Sequence, residues 1–132
     1  MLNTVFVSYS RKNQKWLERF EDALKPGVIR NKYNIWSDKQ LRASEEWRPE
    51  IEAMMSAAKV ALLLVTPEFL ASSYIATKEL PELLARRSKR GLQLFWVPVE
   101  SVSEEMLHFA DLDKIQACWE KDRPLASLPD AD

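Results

Sequence analysis

Val60-Ala61-Leu62-Leu63-Leu64-Val65-Thr66-Pro67 decides the fold. An unbroken apolar run without alternation suits a parallel strand covered on both faces. Thr66-Pro67 then supplies a capping hydroxyl and a proline at the first helical position. Phe69 and Leu70 close a short turn, and Ser72 or Ser73 caps the next helix. Ile75, Glu79 and Leu83 share one i, i+4 row of that helix, beside Ala76, Leu80 and Leu84. Pro81 lies inside it, frees the carbonyl of Thr77 and kinks it.

The same grammar extends in both directions. Val5-Phe6-Val7-Ser8-Tyr9 is a β-branched and aromatic first strand. Ser10 caps a helix with Trp16, Phe20 and Leu24 at four-residue spacing, which Pro26-Gly27 stops. Tyr33-Asn34-Ile35-Trp36 is a second strand. A polar loop from Asp38 to about Glu46 leads into a helix carrying Trp47, Ile51, Met54, Met55 and Ala58, with Pro49 in its first turn. Lys59 to Val65 is the third strand and Leu92 to Val97 the fourth. Ser103 to Phe109 is a short helix, and Ile115 to Cys118 a weaker fifth strand.

Strands alternating with helices make an α/β domain with a parallel sheet. A chain of 132 residues fits one domain, and five strands favour a flavodoxin-like, doubly wound order 2-1-3-4-5 with helices on both faces. In that order the ligand crevice lies at the carboxyl ends of strands 1 and 3. It gathers Tyr9, Ser10 and the Thr66–Glu79 segment, with Asp38 nearby.

Composition narrows the function. The formal charge of −1 argues against a broad nucleic-acid surface. The one basic cluster, Arg86-Arg87-Ser88-Lys89-Arg90, complements a helix C-terminus. Met1-Leu2-Asn3-Thr4 lacks signal-peptide character, and no apolar run reaches the ~20 residues of a membrane span. The lone Cys118 fits a reducing cytoplasm. Gly27 and Gly91 are the only glycines, so glycine-cradled phosphate sites are excluded. Neither paired cysteines nor HExxH is present, and His108 follows no nucleophile elbow. No metal or cofactor is expected. Glu79 is then either a desolvated carboxylate at the crevice, a setting typical of chemical groups, or an edge glutamate whose head reaches water.

Three separated motifs resemble Toll/interleukin receptor (TIR) domains, in their bacterial form. Val5-Phe6-Val7-Ser8-Tyr9-Ser10 is similar to the family's first-strand motif. Ile35-Trp36-Ser37-Asp38, with the loop to Trp47, is similar to the second. Ala61-Leu62-Leu63-Leu64-Val65-Thr66-Pro67-Glu68-Phe69-Leu70-Ala71-Ser72-Ser73-Tyr74, running into Glu79-Leu80, resembles the third-strand-to-helix segment. The match is collinear from about Val5 to Val99. Ala43-Ser44 stands where the family's loop usually carries glycine. The chain stops at Ser127-Leu128-Pro129-Asp130, where members usually begin their last helix. The expectation is one domain over residues 1–132 with that helix short or missing, or the N-terminal module of a longer protein with a fused or separate sensor domain.

The resemblance implies one of two activities. Many TIR domains cleave nicotinamide from NAD with a helix glutamate at the position of Glu79, giving ADP-ribose or a cyclic form. Others act by self-association as non-catalytic adaptors. Bacterial members often serve in antiphage defence. NAD is then the substrate and no further cofactor is needed. Nicotinamide leaves from a cation, so positive charge grows on the ribose. One carboxylate at ~4 Å and an effective dielectric near 20 contributes about 4 kcal/mol, roughly a thousandfold in rate. Glu79 takes that role. By position, Tyr9 and Trp36 stack on the nicotinamide or line its pocket, Trp47 either anchors its helix in the core or stacks on a ring, Arg11 or Lys39 meets the pyrophosphate, and Asp38 orients the loop or a ribose hydroxyl. Ser8 and Ser10 join them as substrate-binding hydroxyls. In either activity the Asp38–Trp47 loop docks on a neighbouring copy, head to tail. A nucleoside-processing enzyme of similar fold, such as a deoxyribosyltransferase, is a third reading.

Overall fold

A computed structural model of the protein describes residues 3–37, 49–73, 75–115, 117 and 124–125. Four strands, β1 (Asn3–Ser8), β2 (Tyr33–Ser37), β3 (Ala58–Val65) and β4 (Gln93–Pro98), form one sheet in the order β2-β1-β3-β4. All three pairings are parallel. The helices are α1 (Gln14–Ile29), α2 (Pro49–Ala57), α3 (Pro67–Ala71), α4 (Leu80–Arg90) and α5 (Glu104–Phe109). The order reverses direction between β1 and β3, as the flavodoxin-like reading requires.

Strand alternation divides the core in two. Val7 and Tyr9 pack with Leu17 of α1, Leu64, Val97 and Val99 on one face. Phe6, Ala61, Leu63 and Trp96 face the other way, against Ile51 and Met55 of α2, Leu80 and Leu83 of α4, and Leu107 of α5. Successive side chains of a strand point to opposite faces, so Ser8 belongs with Phe6 and Tyr9 with Val7. Across the sheet, Phe6 is in register with Trp36 on β2 and Ala61 on β3.

The capping logic of the sequence holds at several ends. The Ser10 side chain accepts from the N–H of Lys12, opening a short 3-10 turn, Arg11–Asn13, ahead of α1. Thr66 accepts from the N–H of Phe69 at 2.9 Å, with proline following at the start of α3. Ser103 accepts from the N–H of Met106 at the start of α5. Gly91 ends α4 in the left-handed conformation, φ 74°, which glycine adopts without strain.

Three expectations are corrected. Pro26-Gly27 does not stop the first helix: α1 runs to Ile29 with Pro26 inside it. The final turn is carried by the N–H of Arg30 to the Pro26 carbonyl at 3.1 Å, and Asn31 ends it at φ 60°. Gly27 instead admits the ring of Tyr33, whose atoms stand 2.3 Å from where a Cβ would be. The Tyr33 hydroxyl donates to the Leu24 carbonyl at 2.8 Å, clasping β2 to α1. Second, Ala58 opens β3 rather than closing α2. Third, the fifth strand is absent among the described residues, reduced to a single parallel bridge between Ala117 and Trp96. The Trp96 indole N–H donates to the Ile115 carbonyl at 2.7 Å and holds that segment to the sheet edge.

At Pro81 the structure shows a change of helical period. Ile75–Glu79 is a π-helical turn, and α4 begins only at Leu80. A change of period ahead of Pro81 places the proline at the second position of a new α-helical segment, where its missing N–H is tolerated. Ser72 caps the turn, accepting from the N–H of Ile75 at 3.3 Å, as the sequence suggested.

Candidate active site

At the carboxyl end of β1, Ser8 is 1% exposed, and Glu79 in the π turn is 2% exposed. The Ser8 hydroxyl donates a hydrogen bond to Glu79 Oε1. The edge-glutamate reading, with the head in water, is therefore overturned. A carboxylate is buried only where polar groups replace its hydration, and Ser8 is one such group. The π turn makes this possible. It sends Ile75 into the core and Glu79 toward β1 while Ala76, Thr77 and Lys78 remain at the surface. Single π turns of this kind recur at functional sites.

Trp36 stands on the same sheet face. Its ring stacks on Phe6 with centroids 5.3 Å apart and an interplanar angle of 26°, and it is half-buried. It thus forms a wall on the Ser8 side. Tyr9 lies elsewhere, 3% exposed and packed in the core cluster beneath α1. Ser10 is spent as a cap, and Arg11 is exposed in the turn that follows. Asp38, Lys39 and Trp47, and the loop between them, lie outside the described residues, as do Cys118 and Trp119. The structure therefore brings Ser8, Glu79 and Trp36 to one face and turns Tyr9 to the other.

A second polar group at the same end of the sheet was not foreseen. The Thr66 hydroxyl donates to Asn13 Oδ1 at 2.7 Å, and Asn13 Nδ2 donates to Glu68 Oε1 at 3.2 Å. The carboxyl groups of Glu68 and Glu100 lie close enough to influence each other. The Asn13 amide is the main influence holding Glu68 below the usual carboxylate range. Burial first, and then the negative charge of Glu68, push Glu100 above it. Charge neighbours of this kind shift two carboxyl groups apart, so Glu100 holds the proton of the pair longer. In sequence these residues look like loop polarity. Only the proximity of the three strand ends unites them.

Among the described residues, no three His, Cys, Asp or Glu side chains cluster to hold a metal. No described helix is long and apolar enough to cross a membrane. Arg87, Lys89 and Arg90 lie in the last turn of α4, where positive charge complements the helix dipole, while Arg86 is buried with its Nε 2.9 Å from Glu82. His108 pairs with Asp113 at 2.9 Å.

The profile of the TIR domain family matches residues 5–128. The chain belongs to the TIR domain family. A curated relative, "Uncharacterized protein y4lF" of Sinorhizobium fredii (strain NBRC 101917 / NGR234), is 25% identical over 133 residues, which cover 98% of this chain. The TIR chain spans only 39% of that relative's length. A solved structure, the TIR domains of the activated Roq1 resistosome directly recognizing the pathogen effector XopQ, superposes with a TM-score of 0.57 at 17% identity. That match covers 74% of this chain and 59% of the other, and it supports the flavodoxin-like TIR fold.

Proposed function

We propose that this TIR domain is an NAD glycohydrolase, cleaving the bond between nicotinamide and ribose, with Glu79 as the catalytic carboxylate. The observation that carries the reading is the buried Ser8–Glu79 hydrogen bond at the switch point of the sheet. That is the crevice where doubly wound folds bind ligands. The Ser8 hydroxyl fixes the carboxylate in one orientation, so little reorganisation remains when positive charge develops on the ribose. Trp36, stacked on Phe6, offers a rigid aromatic wall for the leaving ring. Arg11 at the rim is the described cation best placed in sequence to meet the pyrophosphate.

At 2% exposure, Glu79 cannot touch a ribose while its surroundings stay closed. Turnover therefore requires opening, and we assign that step to self-association through the Asp38–Trp47 loop. The same burial favours a second reading, in which Glu79 is a structural carboxylate and the domain is a non-catalytic scaffold for TIR–TIR assembly. The test is to incubate NAD with purified protein over a concentration range that spans self-association, followed by light scattering. Glycohydrolase activity predicts nicotinamide release that rises more steeply than protein concentration. Intact NAD beside fully assembled protein would select the scaffold. Free nucleosides cleaved in preference to NAD would select the nucleoside-processing reading.

A further inference from the structure

A groove of about 530 Å³ opens between the π turn with α4 and the α5 segment. Its walls come from the π turn and α4 (Ile75, Leu80, Leu84) and from α5 and the turn after it (Met106, Phe109, Asp111). Phe109 is 75% exposed there, the most exposed of the large hydrophobic side chains among the described residues. The volume is that of a small-molecule site, concave, mainly apolar and bordered by a single convergent polar group. That group is Asp111, the one charged residue lining the groove among the described residues. Its backbone is fixed at φ 60°, its N–H donates to the His108 carbonyl at 3.0 Å, and the next N–H, of Leu112, donates to Leu107 at 2.9 Å.

We propose that this groove binds a small organic cation, an aromatic or aliphatic body seated between α4 and α5 with a terminal amine at Asp111. The apolar walls set the body and Asp111 sets the charge. The site carries a consequence for Glu79. Ile75 and Ala76 line the groove, and Glu79 lies in the same five-residue turn, so an occupant presses on the element that aims the carboxylate at Ser8. Binding is independent of NAD cleavage; only an effect on turnover rests on that reading.

The probe is 4-phenylbutylamine, with 4-phenylbutyrate as its charge-reversed control, titrated into the full chain and followed by heteronuclear NMR. The expected result is saturable shifts of the Ile75, Leu84 and Met106 methyl signals, together with the amides of Glu79 and Leu80. The amine should bind about threefold to fivefold more tightly than the acid, the range of an exposed ion pair, and Asp111→Asn should erase that difference. Ala110→Phe fills the groove and should weaken the amine about tenfold or more. Ala76→Phe, at an exposed position, repeats the test should the first variant fail to fold. Equal affinity for both charges, or no saturable shift, overturns the proposal. So do shifts of the same methyl signals on concentrating the protein alone, which would assign the groove to a second copy. Protein that never cleaves NAD still gives this binding result, so the two proposals fail separately.

Discussion

Ser8 on β1 and Glu79 in the π turn, 71 residues apart in sequence, meet in a buried hydrogen bond at the carboxyl edge of the sheet. The bond ties the helical element after β3 to the strand beside it, so it belongs to stability and to the site at once. Removing the donor leaves a buried acceptor short of a partner, at a cost of about 1–3 kcal/mol. Ser8→Ala should lower the free energy of unfolding by that amount in chemical denaturation. A double-mutant cycle with Glu79→Ala should show strong coupling. Additive effects would mean that the two side chains do not depend on each other.

Gly27 and Tyr33 give a prediction that changes sign. A Cβ at Gly27 would overlap the Tyr33 ring and push its hydroxyl off the Leu24 carbonyl. Gly27→Ala should destabilise by about 1 kcal/mol. In a Tyr33→Ala background the clash is gone and helix propensity remains, so the same substitution should stabilise by roughly 0.5–1 kcal/mol. Thermal unfolding of the four proteins checks both signs.

The Glu68–Glu100 pair predicts an unusual pH response. Glu68 is held below its ordinary value of 4.5, so its contribution is present above that pH and lost as pH falls through its folded value. Glu100 is raised above 4.5, so its favourable contribution is present below that pH and lost as pH rises through the raised value. Above the raised value of Glu100 both are anions beside each other. Glu100→Gln should therefore stabilise the protein at pH 7 by about 0.5 kcal/mol, a figure kept small by solvent screening, and the gain should shrink toward pH 4.5. A gain that grew on acidification would contradict the pairing.

Thr66 serves two partners, capping α3 and holding Asn13. Thr66→Val should cost about 1–3 kcal/mol by losing both, while Thr66→Ser should retain most of the stability. Equal losses for the two variants, measured in urea, would show that the methyl packing and not the hydroxyl matters.

Much of the architecture was legible because it rests on local pattern. The unbroken apolar run of β3, the Thr66-Pro67 start and the alternation of strands with helices lead to the order seen. What escaped is tertiary. Pro26-Gly27 carries a stop signal, yet the Tyr33 ring that fills the space above Gly27 arrives from β2 and fastens the helix onward. The π turn leaves the apolar pattern of Ile75, Leu80 and Leu83 intact, so no periodicity reveals it. For the candidate site, the position of Glu79 after β3 is what directs it to the crevice. Tyr9 was grouped with it by proximity in sequence, although two-residue alternation sends Phe6 and Ser8 to one face and Val7 and Tyr9 to the other. Asn13, Glu68 and Glu100 carry no pattern at all, since ordinary loop polarity looks the same until three strand ends converge.

In the proposed reaction the Glu79 carboxylate supplies the charge that drives nicotinamide departure. Glu79→Gln is its most direct test, because the amide oxygen still accepts from Ser8 while the negative charge is gone. Nicotinamide release from NAD should be measured for both proteins at equal extents of self-association, with folding checked by circular dichroism. The account predicts a loss of about a thousandfold for Glu79→Gln, matching roughly 4 kcal/mol of charge stabilisation. Equal turnover by folded, assembled Glu79→Gln protein would contradict it.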